Sequence, residues 1–366
     1  MENDSHTLEA VYLYILSRLP VRRLEVFEQW RNVSGSFEAV MLANEKQLRE
    51  FGLGQELIIK LREIKKDWSV EKLVKSLESG AVSVLTYLDS EYPKLLAEIH
   101  DAPPVLFYRG AWQDPNEACV AIVGSRKMSP YGMSMVPKIA EPIINSGVTI
   151  VSGLAYGIDS AAHAESVKRG ARTIAVLGTG VDESSIYPRG HLNLAHQILD
   201  NNGLIISEQP PGTPGLPQHF VARNRIVAGL SLGVIVVECK IKSGALLTAD
   251  YAADFNRNLY AVPGPGYSSL SEGPHLLIKN GATLVITGEE VLEDLHVALA
   301  KLPSKLTQPF SETELRVLKC MQDKAQSINE ISSLANLPVS DVNKTITLLE
   351  LAGAVEDVGN NTYIQT

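Results

Sequence analysis

The chain has 366 residues, 45% of them hydrophobic and 20% charged, with a formal net charge of −9 at pH 7. That length suits two or three domains, and no apolar run is long enough to span a bilayer. The acidic total argues against a uniformly basic nucleic-acid protein, so the placement of the charges has to decide. The start, Met1-Glu2-Asn3-Asp4, lacks a basic region and an apolar signal core, so a cytoplasmic location is expected. Cys119, Cys239 and Cys320 form no metal or redox spacing. The first two sit in strand-like runs and read as small core residues.

Residues 1–79 read as a helical domain. Leu8, Val11, Tyr12, Ile15 and Leu19 fall at helical spacing, and Pro20 closes that segment. Gly35 and the Phe51-Gly52-Leu53-Gly54 turn break further helices. With charges nearly balanced, a small helical interaction module of the SAM type is favoured. A helix-hairpin-helix that grips DNA is the alternative, but its Gly-x-Gly hairpin is only loosely echoed.

Residues 80–300 read as an α/β domain organised around Ala118–Gly180. Three short runs rich in Val and Ile, Cys119–Val123, Val148–Val151 and Thr173–Leu177, each stop at a Gly-containing turn. Strands buried on both faces read as continuous apolar runs, so the expected fold is an extended Rossmann-like, doubly wound, mostly parallel sheet. Val82–Leu88 and Val105–Tyr108 extend it ahead of Ala118. Leu204–Ser207, Gly233–Val237, Asn258–Val262 and Ala282–Ile286 extend it afterwards, giving about nine strands. Helices are expected at Ala222–Gly229, Ala245–Phe255 and Pro274–Lys279.

Lys301 to Phe310 is a polar linker containing Pro. Beyond it, Ser311 with Glu314 and Ser327 with Glu330 have the spacing of two capping boxes. A third helix follows Pro338 and Ser340 and ends at Gly353. Ala354–Val358, the Gly359-Asn360-Asn361 turn and Thr362–Ile364 read as a hairpin. Three helices and a hairpin make residues 311–366 a winged helix. Its third helix offers only Lys344 as a basic residue, so a protein-contact or regulatory module is favoured over a reader of DNA.

In an open parallel sheet, ligands sit beyond the carboxyl ends of the strands. The turns Gly124-Ser125-Arg126, Gly153 through Gly157 to Asp159, and Gly178-Thr179-Gly180 should therefore line one rim. Glycines there let backbone approach a ligand, and helix N-termini present free N–H groups to anions. Basic residues return to that rim: Arg126 and Lys127, then Arg189, then Arg223-Asn224-Arg225, then Lys240 and Lys242 before Ser243-Gly244. A lone arginine on a loop is usually solvated surface, but four separate returns to one rim argue for a phosphate site. Asp159 is expected to cap the helix entered at Ser160. His163 is expected to pack on the sheet. Glu208, Glu238 and Asp250 could do acid–base work, but no pair has diagnostic spacing. No catalytic set, metal site or cofactor signature stands out, since neither G-x-x-x-x-G-K-[ST] nor G-x-G-x-x-G is present.

At these residues the sequence resembles the DNA-processing protein A (DprA) family, also called Smf, over about Val82 to Leu295. The resemblance rests on Val123-Gly-Ser-Arg126, on Ser152-Gly-Leu-Ala-Tyr-Gly-Ile-Asp159 with His163, and on Ile174-Ala-Val-Leu-Gly-Thr-Gly180. It continues in Tyr187-Pro188, Ser207-Glu208, Phe220-Val-Ala-Arg-Asn-Arg-Ile226, Lys242-Ser-Gly-Ala-Leu-Leu-Thr-Ala249, Pro263-Gly264 and Gly281-Ala282. The resemblance implies a dimer, active in natural transformation and not known for catalysis. It would protect incoming single-stranded DNA and help load the RecA recombinase. It also implies that Arg126, Arg189, Arg223, Arg225 and Lys242 lie in a DNA-binding pocket. Two copies are expected to join through His275, Leu276, Leu277 and Ile278. One position departs from the family, since Tyr156 stands where a basic residue is common; it could offer a stacking surface to a base. The alternative reading is a nucleotide-binding enzyme or sensor resembling phosphoribohydrolases. Their P-G-G-x-G-T-x-x-E loop is not matched by Lys242-Ser-Gly-Ala-Leu-Leu-Thr.

Overall fold

In a computed structural model, residues 2–114, 116–296, 311–321, 326–351, 355–359 and 362–365 are described. The expected linker 301–310, the helix end at Gly353, Ala354 and the Asn360-Asn361 turn lie outside them. The chain divides into two compact units, Met1–Leu302 and Pro303–Thr366.

The first unit opens with six helices: α1 (Glu2–Leu16), α2 (Leu24–Ser34), α3 (Phe37–Leu42), α4 (Glu45–Glu50), α5 (Gln55–Asp67) and α6 (Val70–Ser79). Gly35, in the left-handed region at φ 91°, ends α2. These helices do not stand apart from the sheet. Tyr14 of α1 lies edge-on to Trp68 at 5.2 Å and to Phe107 of the sheet at 5.1 Å. One apolar cluster runs from Val11, Leu13 and Ile15 into Phe107, Ala175, Leu177 and Ile205.

The sheet then assembles from β1 (Ser83–Thr86), β2 (Val105–Gly110), β3 (Cys119–Val123), β4 (Thr149–Ser152), β5 (Thr173–Leu177), β6 (Leu204–Ser207), β7 (Gly233–Val236), β8 (Asn258–Ala261) and β9 (Thr283–Leu284). Between and after them lie α7 (Lys94–Ala97), α8 (Pro130–Asn145), α9 (Ile158–Lys168), α10 (Leu192–Asp200), α11 (Pro217–Gly229), α12 (Gly244–Asp254), α13 (Glu272–Lys279) and α14 (Gly288–Asp294). The order across the sheet is β1-β2-β6-β5-β4-β3-β7-β8-β9. All pairs from β6 to β9 are parallel, and β1 and β2 add an antiparallel edge. β3, β4, β5 and β6 step outward one way; the chain then returns to place β7 beside β3 and steps the other way. That reversal opens a crevice between the loops after β3 and β7.

Both faces are covered, as the unbroken apolar runs require. Val120 and Ile122 of β3 pack with α8 and α9, while Cys119, Ala121 and Val123 pack with α11 and α12. Helix α11 starts at Pro217, five residues ahead of the expected Ala222, because proline is well suited to a first helical turn. Helices α10 and α14 were not anticipated; α14 is opened by a capping box of Thr287 and Glu290.

The second unit holds α15 (Glu312–Cys320), β10 (Gln326–Ser327), α16 (Ile328–Ala335), α17 (Val339–Leu351), β11 (Val355–Gly359) and β12 (Thr362–Gln365). Both expected capping boxes form: Ser311 N donates to Glu314 at 2.6 Å and Ser327 N to Glu330 at 2.8 Å. Val317, Met321, Ile331, Val342, Ile346 and Leu349 close a small core. Strands β11 and β12 pair antiparallel, and the unforeseen β10 pairs with β12.

Candidate nucleic-acid interface

The crevice at the β3/β7 reversal is a cleft of about 840 Å³. One wall is the loop Gly124 to Lys127 that follows β3; the opposite wall is Lys240 to Gly244, which leads into α12. Gly153, Ala155 and Asp159 close one end, and Phe220, Arg223 and Asn224 of α11 form the floor together with Tyr187. Arg126, Lys127, Lys240 and Lys242 are exposed there. Asp159 is the sole carboxylate among the described residues that line the cleft, and it is buried. An acidic chain thus presents a locally positive groove.

Aromatic groups supply a second kind of surface. The Arg126 guanidinium lies 5.8 Å from the centre of the Phe220 ring, and Tyr187 is tilted against Phe220 at 5.6 Å. Tyr187 is half exposed. Phe220 and Tyr187 fall within the sequence motifs, which assign them no such role. An aromatic in the first turn of a helix that follows a long Pro- and Gly-rich loop was the available signal.

Arg223 is a strut beneath this surface. It is 6% exposed, and its Nη1 donates to Gly153 O at 2.7 Å and also to Val176 O, tying α11 to the ends of β4 and β5. Its Nε donates to Asn224 Oδ1 at 3.1 Å. Burial lowers its pKa while the nearby charge of Asp159 raises it. Asp159 does not cap α9 as expected, for the helix begins at Ile158, two residues before Ser160, and Gly157 stands at its cap. Its carboxylate instead accepts from Gly153 N at 3.2 Å and holds the preceding loop. Burial raises its pKa, and the charge of Arg223 works against that rise.

Most of the rim glycines serve the protein rather than a ligand. A Cβ at Gly153 would lie 2.3 Å from Arg223 Nη1, and one at Gly178 would lie 2.8 Å from the Phe220 ring. At Gly157 and Gly180 the obstacles would be Ser125 O and Asp182 Oδ1. Gly244, at the start of α12, has open space above it. It is the rim glycine at which a ligand could approach the backbone.

Other expected residues are not gathered into the cleft. Arg225 is buried, with Nη2 2.7 Å from Glu208 and Nε 3.1 Å from Asp101. It is committed to an internal ion-pair network. Arg189 is exposed at the start of a short 3-10 turn, donating to Glu183 O at 2.6 Å. Tyr156 is half exposed beside the cleft, edge-on to His191 at 4.6 Å. His163 is fully buried, its Nδ1 2.8 Å from Thr173 Oγ1, and burial drives its pKa down to about 3. Glu208 and Glu238 hold structural hydrogen bonds, the latter to Ser129 N and Oγ. No group of metal-ligating side chains occurs among the described residues.

The four residues expected at a pairing face differ in exposure. Leu277 belongs to the core of its own chain, because it points from α13 back onto the sheet, and Ile278 packs partly beside it. His275 Nε2 lies 3.0 Å from Gly264 O. Leu276 is exposed, as are Leu284 and Ile286 on and just beyond the edge strand β9.

The comparisons with known proteins agree on one family. The model of DNA recombination-mediator protein A matches residues 83–296, and that of the DprA winged helix domain matches residues 301–361. Protein Smf of Escherichia coli is 39% identical over 279 residues, 74% of each chain. The crystal structure of DNA processing protein A from Streptococcus pneumoniae superposes with a TM-score of 0.68 at 36% identity, covering 78% of this chain and 97% of that one. DNA processing protein A from Helicobacter pylori, studied for its mode of binding single-stranded DNA, gives 0.52 at 27% identity over 60% of this chain and 97% of its own. By sequence, fold and the order of its domains, this chain belongs to the DNA recombination-mediator protein A (DprA/Smf) family.

Proposed function

We propose that this protein binds single-stranded DNA across the β3/β7 cleft and acts, as a homodimer, in DNA processing during natural transformation, protecting the incoming strand and helping to load the RecA recombinase. The observation that carries the DNA reading is the cleft's charge: Arg126, Lys127, Lys240 and Lys242 face one groove whose lone lining carboxylate is buried. Phosphates would gain side-chain charge and the backbone N–H of Gly244, which opens α12 beneath open space. Bases would stack on Phe220 and Tyr187, with Tyr156 next to them, which favours single strands over duplex. Arg223 and Arg225 support this surface from within; Arg189 and Tyr156 extend it. The winged helix is assigned to protein contacts.

Titration with a labelled single-stranded oligonucleotide, with duplex and nucleoside monophosphates as competitors, tests the reading. Single strands should bind tightest, and monophosphates should compete weakly. Competition by a monophosphate as strong as by the oligonucleotide would move the nucleotide-enzyme reading ahead. Dimerisation is assigned to Leu276, Leu284 and Ile286 at the open edge of the sheet. Leu284→Glu should then sediment as a folded monomer; a folded mutant that remains dimeric refutes this surface.

A further inference from the structure

Glu238 follows β7 and is 3% exposed, yet among the described residues it forms no ion pair. All its bonds go to the loop that crosses from β3 to α8. Its backbone O accepts from Ser125 N at 2.6 Å. One carboxylate oxygen accepts from Ser129 N at 2.6 Å and the other from Ser129 Oγ at 2.7 Å. Ser129 Oγ in turn accepts from Gly132 N at 3.2 Å, capping α8. The fit is close: a Cβ at Gly132 would stand 2.6 Å from the Glu238 carboxyl carbon.

Between those two anchor points lie Arg126 and Lys127, exposed on the cleft wall and without ion-pair partners among the described residues. A buried charge without a counter-ion is costly unless its hydrogen bonds are complete. Here those bonds clamp both ends of the loop that carries the cleft's two leading cations. We propose that Glu238 is a positioning residue for DNA binding, acting through Arg126 and Lys127 by holding the Gly124–Ser129 loop in its binding shape. The inference rests on the cleft being the DNA site.

It makes a prediction whose sign separates position from charge. Replacing a carboxylate near an anion site with a neutral group should, by relief of Coulomb repulsion alone, tighten the binding of DNA. If Glu238 positions the loop, Glu238→Gln should weaken it instead, because the amide keeps one accepting oxygen for Ser129 N but turns an N–H toward Ser129 Oγ, whose hydroxyl then loses its charged acceptor.

The experiment measures oligonucleotide affinity against salt for the full-length parent, Glu238→Gln, Arg126→Ala and the double variant, with thermal melting as a check on folding. Glu238→Gln is expected to bind about tenfold more weakly, the scale of one charge-assisted hydrogen bond, while still melting cooperatively. Its salt slope should flatten by about 0.7, the contribution of one phosphate. The double variant should lose less than the two single losses combined, since residues acting through one another do not add. Ser129→Ala should show the same non-additivity and decides the matter should Glu238→Gln fail to fold. Affinity equal to or tighter than the parent, or losses that multiply in the double variant, overturns the inference. If Arg126→Ala itself binds like the parent, the cleft reading falls, and this inference with it.

Discussion

The β3/β7 cleft and the third helix of the winged helix are two regions that a DNA-binding reading has to weigh, and they differ in charge. Around the cleft, Arg126 and Lys127 come from one loop and Lys240 and Lys242 from another, and the cleft they line includes one buried carboxylate, Asp159. Helix α17 carries Lys344 as its single basic residue, alongside Asp341 and Glu350. A winged helix reads DNA by presenting that helix to phosphates and grooves, so its outline alone does not make it a reader. The net charge of −9 describes neither region.

The comparison can be sharpened first inside the cleft domain, by separating cations that face solvent from those that face the core. Arg225→Met removes one member of a buried ion-pair network and should cost about 3–5 kcal/mol of stability. The salt slope of DNA binding should stay as in the parent; a flatter slope would show that Arg225 touches phosphate after all. Arg126→Glu with Lys242→Glu should reverse that pattern. Affinity should fall roughly a hundredfold, about 2.7 kcal/mol, and the slope should drop by about 1.4 for two phosphates, with melting little changed. Unchanged affinity and slope would remove the cleft as the DNA site.

Phe220→Ala isolates stacking from charge. A loss of about 1–3 kcal/mol with an unaltered slope is expected, whereas a flattened slope would mean that the ring acts mainly by holding Arg126 in place. The smallest effect is expected on the other side of the comparison. Ending the chain after Leu302 removes the whole second unit, and oligonucleotide affinity should stay within a few-fold. A hundredfold loss, about 2.7 kcal/mol, would make the winged helix a DNA contact and dissolve the contrast.

The chain's own order of residues determined what local physics controls. Continuous apolar runs marked β3, β5 and β6 to the residue, because a strand buried on both faces has no polar position to interrupt it. The capping boxes at Ser311 and Ser327 were legible because both partners lie within one helical turn. Directions in space were not legible. Arg223 and Arg225 are two residues apart on α11, about 200° around a helix, so one braces the cleft floor and the other turns to Glu208 and Asp101. Leu276 and Leu277 divide in the same way between solvent and core. The rim glycines looked like places for a ligand, yet Gly153 and Gly178 are small because Arg223 and Phe220 occupy the space. Glu238 and Ser129 are 109 positions apart, a separation at which no sequence pattern records a hydrogen bond. Which groups fill a gap, and which way a helix turns its cations, is decided only when distant segments pack.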